Sequence, residues 1–110
     1  MLTGMKNKSV SRIKVGPLHY DVTRRPVPIT EGEHGNVLGR VVYGENKIIV
    51  ANNLTNEVEL LTVLHEAFHA LMVHSGVKEH DEQFVETICG LLFNFIQDNP
   101  KLIALIQSIK

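Results

Sequence analysis

The sequence has one cysteine, no tryptophan and few aromatic residues, 5% in all. A lone cysteine excludes an internal disulfide framework, so a hydrophobic core must supply the stability of the fold. No apolar run approaches the roughly 20 residues that a membrane-spanning helix needs. The opening Met1-Leu2-Thr3-Gly4-Met5-Lys6 lacks the apolar stretch of a secretory signal. Neither sign of charge is in large excess, the net being −1 at pH 7. The expectation is a cytoplasmic protein without membrane association. With 110 residues and 44% hydrophobic content, a single globular domain over residues 1–110 is expected.

Charge is nonetheless uneven along the chain. Residues 1–25 carry six Lys or Arg and one Asp, whereas residues 26–110 carry five against eleven acidic residues. A basic segment can meet nucleic acid, but no helical or aromatic-interleaved recognition pattern accompanies this one. Solvated faces and protected strand edges account for it, and a nucleic-acid partner is not expected.

The front of the chain is β-rich. Ser11 to Val15 and His19 to Thr23 flank the turn signal Gly16-Pro17 and read as a hairpin. Arg24 to Asn36 contains Pro26, Pro28, Gly32 and Gly35 and reads as a loop bordering the site developed below. Leu38 to Tyr43 and Lys47 to Ala51, separated by Gly44-Glu45-Asn46, form a second hairpin.

The back is α-rich. Thr55 is placed to cap a helix whose first turns hold Glu57 and Glu59, where the helix dipole favours negative charge. That helix should run to about Ser75 and stop at Gly76. Val58, Leu61, Leu64, Phe68, Leu71 and Met72 recur at threes and fours, which supports a long buried helix. A second helix is expected from about Asp81 to Gln97, with Phe84, Ile88, Leu91, Leu92 and Phe95 on its apolar side. Asp98-Asn99-Pro100 ends it, and Lys101 to Ile109 reads as a short final helix. The fold class is therefore α+β: a small antiparallel β-sheet from the N-terminal half packed on the long helix and a second, antiparallel helix.

Within the long helix, His65-Glu66-Ala67-Phe68-His69 spells H-E-x-x-H. Side chains four apart on a helix lie about 40° apart around its axis, so His65 and His69 can share one metal ion. Glu66 is turned by about 100° from His65, which places its carboxylate beside such an ion, where it can take a proton from bound water. A shuffled chain of this composition would contain the pattern by chance in roughly 3% of cases, so the motif gains its weight from context. Two histidines and a glutamate on a helix meant to be buried need pairing or a metal. A third ligand should come from the second helix as it returns past His65 and His69. Glu82 and Glu86 are the candidates, with Asp81 also within reach. Two His and one carboxylate leave a fourth position open for water, the arrangement of catalytic rather than structural zinc.

The run HEAFHAL, then Glu82-x-x-Val85-Glu86, then Asp98-Asn99-Pro100 resembles the small ImmA/IrrE-like and minigluzincin zinc metallopeptidases of phages and bacteria. The upstream GRVVYGENKIIV resembles the strand pair that precedes the motif in that family, so the resemblance covers about residues 38–100. It implies a minimal zincin-like core, a Zn2+ cofactor, and hydrolysis of peptide bonds in a peptide or protein substrate. Carried over from the E-x-x-x-D/E pattern of gluzincins, Glu82 is the third metal ligand and Glu86 supports a metal-binding histidine from behind. The interval from His69 to Glu82 is shorter than in larger gluzincins. The resemblance also implies a peptide extended along an edge strand, here Leu38 to Tyr43. A donor for the tetrahedral oxyanion would come from a His or Tyr, and Tyr43, His80, His34 and Tyr20 are the choices.

Other titratable residues read more plainly. His74 lies about 180° around the helix from His65 and is a helix-end residue outside the metal face. His80 is a cap or surface residue, and Cys89 a small buried core residue. Three function classes follow: a zinc metallopeptidase with Glu66 as general base, a non-proteolytic zinc-binding interaction or regulatory protein, and, least favoured, a nucleic-acid-associated regulator using Arg24 and Arg25.

Overall fold

The computed structural model describes residues 9–27, 34–36, 38–77, 79 and 81–109. Five strands and three α-helices follow in order: β1 (Arg12–Val15), β2 (Leu18–Arg25), β3 (His34–Asn36), β4 (Gly39–Val42), β5 (Lys47–Ala51), α1 (Asn56–His74), α2 (Glu82–Asp98) and α3 (Pro100–Ser108). The class is α+β, as expected.

Both expected hairpins form. β1 and β2 pair antiparallel across Gly16-Pro17, and Gly16 takes a φ of 58°, which a residue without Cβ adopts freely. β4 and β5 pair antiparallel through a 3-10 turn at Tyr43–Glu45. Asn46 closes that turn in the left-handed region, φ 50°, its N–H donating to the Tyr43 carbonyl. Asparagine tolerates this conformation better than other side chains.

The sheet departs from the all-antiparallel arrangement expected. Its order is β1-β2-β5-β4-β3, and β2 pairs with β5 in parallel, from Asp21↔Lys47 to Arg25↔Ala51. The two hairpins are thus fused through one parallel seam into a mixed sheet. Because β3 is antiparallel to β4 and β4 to β5, β3 runs in the same direction as β5 and β2. The segment read as a loop carries the last residues of β2 at one end and β3 at the other. Consequently β4 is an interior strand, and β3 rather than Leu38 to Tyr43 forms the sheet edge.

β5 is buried on both faces, which suits its near-continuous apolar sequence KIIVA. Ile48 and Val50 join Val15, Tyr20, Val22 and Val41 in the main core against Val63 and Ala70 of α1. Alternation along the strand puts Ile49 and Ala51 in a second cluster with Leu38, Val42 and Leu54. Arg24 of β2 ties the sheet to α1, donating to Glu59 at 2.6 Å and to the Val10 carbonyl at 2.9 Å.

α1 starts where expected, with the Thr55 side chain accepting from the Val58 N–H, and stops before Gly76 at φ 92°. The residues buried are Thr62, Val63, His65, Glu66, His69 and Ala70, while Val58 and Leu71 of the apolar stripe are exposed. The most buried face is thus not the most apolar one; Gly39, having no β-carbon, lets β4 approach Thr62 and Glu66 there. α2 returns along α1, burying Val85 and Cys89, and the Cys89 Sγ lies 3.9 Å from the Leu64 carbonyl. α3 continues from α2 after the single residue Asn99 and buries none of its side chains.

Candidate metal centre

Three of the predicted residues converge. His65 and His69, one turn apart on α1, bring their Nε2 atoms within 3.2 Å of each other. Glu82, the first residue of α2, sets its Oε2 at 2.6 Å from His65 Nε2 and its Oε1 at 3.0 Å from His69 Nε2. These three side chains each offer one ligand atom within a 4.8 Å cluster, so they could hold a metal ion. His69 is fully buried and His65 nearly so, whereas the Glu82 side chain is 46% exposed and marks the side open to solvent.

The donor set fits a cation. Glu82 can accept an N–H from each imidazole, one at either oxygen, and the same two Nε2 atoms and the carboxylate present three converging lone pairs once those protons are absent. A cation at the point of convergence satisfies all three lone-pair donors at once. Two ligands at about 2.0–2.1 Å from a tetrahedral zinc stand roughly 3.3 Å apart, close to the His65–His69 separation. Glu82 also lies in the first turn of α2, where the helix dipole favours a carboxylate.

Glu66 is the second element. It is fully buried, and neither carboxylate oxygen has a hydrogen-bond partner. Burial foremost, with the negative charge of Glu82 added, pushes its pKa up to about 9, and Arg40 pulls the other way. An orphaned carboxyl of this kind costs several kcal/mol unless something at the site engages it. Beside Glu66 and His65 opens a cavity of about 130 Å³, walled by the apolar Leu38, Val58 and Leu61 and also lined by Glu86.

The remaining candidates are placed elsewhere. Glu86 is exposed, lines the cavity and stands outside the three-residue cluster, and Asp81 caps α2 by accepting from the Gln83 N–H at 3.4 Å. Tyr20 is buried in the core, where its hydroxyl and His74 Nε2 share a 2.9 Å hydrogen bond and burial raises the tyrosine pKa. His74 is thereby fixed at the end of α1, away from the cluster. Tyr43 packs on the main core. His80 and the side chain of His34 lie outside the described residues. Cys89 is buried as expected, its thiol pushed up to about 11 by burial and by the charges of Glu66 and Glu82.

Two residues of the site were not singled out from the sequence. Gly39 starts β4 where the strand passes directly over Glu66 and Thr62. The available signal was a glycine at the edge of a β-rich run, which often marks close backbone approach. Arg40, next along, supplies the positive charge that acts on Glu66. Arg24, one of the two arginines named for the nucleic-acid reading, is paired with Glu59. No helix among the described residues is long and apolar enough to cross a membrane. The chain matches no family model, no curated protein and no solved structure, so the site stands on its own geometry.

Proposed function

We propose that this protein is a zinc-dependent metallopeptidase, with His65, His69 and Glu82 holding the ion and Glu66 acting as general base. The observation that carries the reading is the buried, unpartnered carboxylate of Glu66 beside three converging metal-ligand side chains. The resemblance of HEAFHAL and its following glutamates to ImmA/IrrE-like and minigluzincin peptidases supports it.

Zinc bound there supplies Lewis-acid polarisation of a carbonyl and acidifies a water held at the open position. Glu66 takes that water's proton at one of its free oxygens as the carbon–oxygen bond forms. It then returns the proton to the departing amine nitrogen as the carbon–nitrogen bond breaks. Without a metal Glu66 keeps its proton up to about pH 9; a cation held by His65, His69 and Glu82 would draw that pKa down and free the carboxylate to accept a proton. An extended peptide docks along β3, the sheet edge that packs against α1, by strand addition.

The test measures zinc content and cleavage of a mixed peptide library, read by mass spectrometry, for wild type and Glu66→Gln. Zinc retained by both, with cleavage lowered at least about 100-fold in the variant, is the expected result. Zinc bound by a wild type that cleaves nothing replaces this reading with a non-proteolytic zinc-binding protein.

A further inference from the structure

We propose that α2 and α3 form a symmetric interface with the same helices of a second copy of this chain. The surface concerned begins where α2 leaves the body of the molecule. Cys89 is the last buried residue of that helix, and everything from Leu91 onward is exposed or half-buried. Leu91 and Phe95 of α2, with Leu102, Leu105, Ile106 and Ile109, are between 43% and 77% exposed. Their spacings of three and four align each set along one side of its helix.

Area argues for a protein occupant. At roughly 200 Å² for a fully exposed large apolar side chain, these six present about 700 Å². The largest apolar patch on an ordinary monomer is about 300–600 Å², and one side of a standard stable interface is about 800 Å². Helix stability argues the same way. α3 has nine residues, none of them buried, and contacts α2 as its main neighbour. Isolated helices shorter than about 12–15 residues are marginal in water, so α3 needs a surface that the described residues of its own chain do not provide.

Chemistry selects a second copy. Between Thr87 and Ile109 the only charged residues are Asp98 and Lys101, on either side of the joint between the helices. A different partner is recognised through charged and polar groups that set register and exclude competitors, and this surface has almost none. A twofold interface asks only that a patch complement itself. An uncharged helical surface with one acid and one base at its joint does so without bringing like charges together. The arrangement is a four-helix layer, two helices from each chain, with depletion of charge as in obligate homodimers.

Sedimentation of the full chain over a range of concentrations tests this, with Leu91→Glu and Leu105→Glu alongside. The expected result is a two-chain mass for wild type and dimer dissociation constants raised at least about 30-fold in each variant, both still unfolding cooperatively. Both positions are exposed, so neither variant disturbs the core around Val85 and Cys89. A single-chain mass for wild type at every concentration overturns the proposal. So does a dimer that neither substitution weakens, or a wild-type monomer that binds phospholipid vesicles through this face.

Discussion

Gly39 and Glu66 are in contact across the junction of β4 and α1: a β-carbon on Gly39 would stand 3.1 Å from Glu66 Cγ and 3.2 Å from its Oε2. The same carbon would fall 2.6 Å from Thr62 Cγ2. The strand therefore closes the roof over Glu66, and only glycine fits there without displacing its neighbours.

Gly39→Ala should destabilise the fold by about 1–3 kcal/mol, the usual cost of overpacking, and displace Glu66. Thr62→Ser in the same chain removes the methyl that clashes most severely and keeps the hydroxyl that donates to the Val58 carbonyl at 2.7 Å. Urea denaturation should show the double variant recovering much of the loss. No recovery would mean that Thr62 is not the obstacle.

Glu66 gives the metal-free protein a characteristic pH dependence. Its folded pKa of about 9 stands above the ordinary carboxyl value of 4.5. Between those values the unfolded chain has released the proton and the folded chain retains it. Stability from this group is therefore complete below about pH 4.5 and lost as pH rises through 9, by up to about 1.4 kcal/mol per pH unit. In chelator-treated protein the urea midpoint should fall from pH 6 to pH 8, and Glu66→Gln should flatten that fall. A wild type as steep as the variant contradicts the buried neutral carboxyl.

The two glutamates of α2 should behave differently. Glu82→Ala removes a converging ligand atom and should weaken zinc binding by at least about 100-fold, more than loss of an outer partner usually does. Glu86→Ala should leave zinc affinity within about tenfold of wild type, because Glu86 lies at the cavity and not in the cluster. Competition with a chromogenic chelator measures both. Equal losses would restore Glu86 to the metal site.

Arg24 should prove structural. Its 2.6 Å pair with Glu59 leaves the two side chains 27% and 14% exposed. Removing one partner strands the other, so Arg24→Ala should cost about 2 kcal/mol. Arg24→Ala with Glu59→Ala should cost less than the sum of the single changes, and zinc content should not change. A double-mutant cycle of thermal unfolding resolves the coupling.

The parts of this structure that depend on short-range geometry were legible in the residues. Thr55, Gly76, Gly16 and Asn46 mark ends and turns because each relieves a local backbone requirement. His65, Glu66 and His69 announced a site because a helix fixes their mutual angles; a short return brought Glu82, Glu86 and Asp81 within reach, and the resemblance to gluzincins singled out Glu82. The parallel seam between β2 and β5 was not legible, since nothing near Asp21 specifies Lys47 as its partner. Which face of α1 is buried was not legible for a related reason: apolar periodicity does not show that Gly39 of β4 comes to lie over Thr62 and Glu66.

The three candidate ligands are not equally secured. His65 and His69 stand mid-way along a 19-residue helix packed on the sheet, but Glu82 opens α2, where backbone N–H groups lack partners within the helix. First turns open at far lower free energy than whole domains do. The residence time of an ion held there would therefore be governed by fraying of one turn beyond Asp81. It would exchange with its surroundings while the sheet and α1 stay intact, and a stronger cap at position 81 would slow that exchange without touching His65, His69 or Glu82.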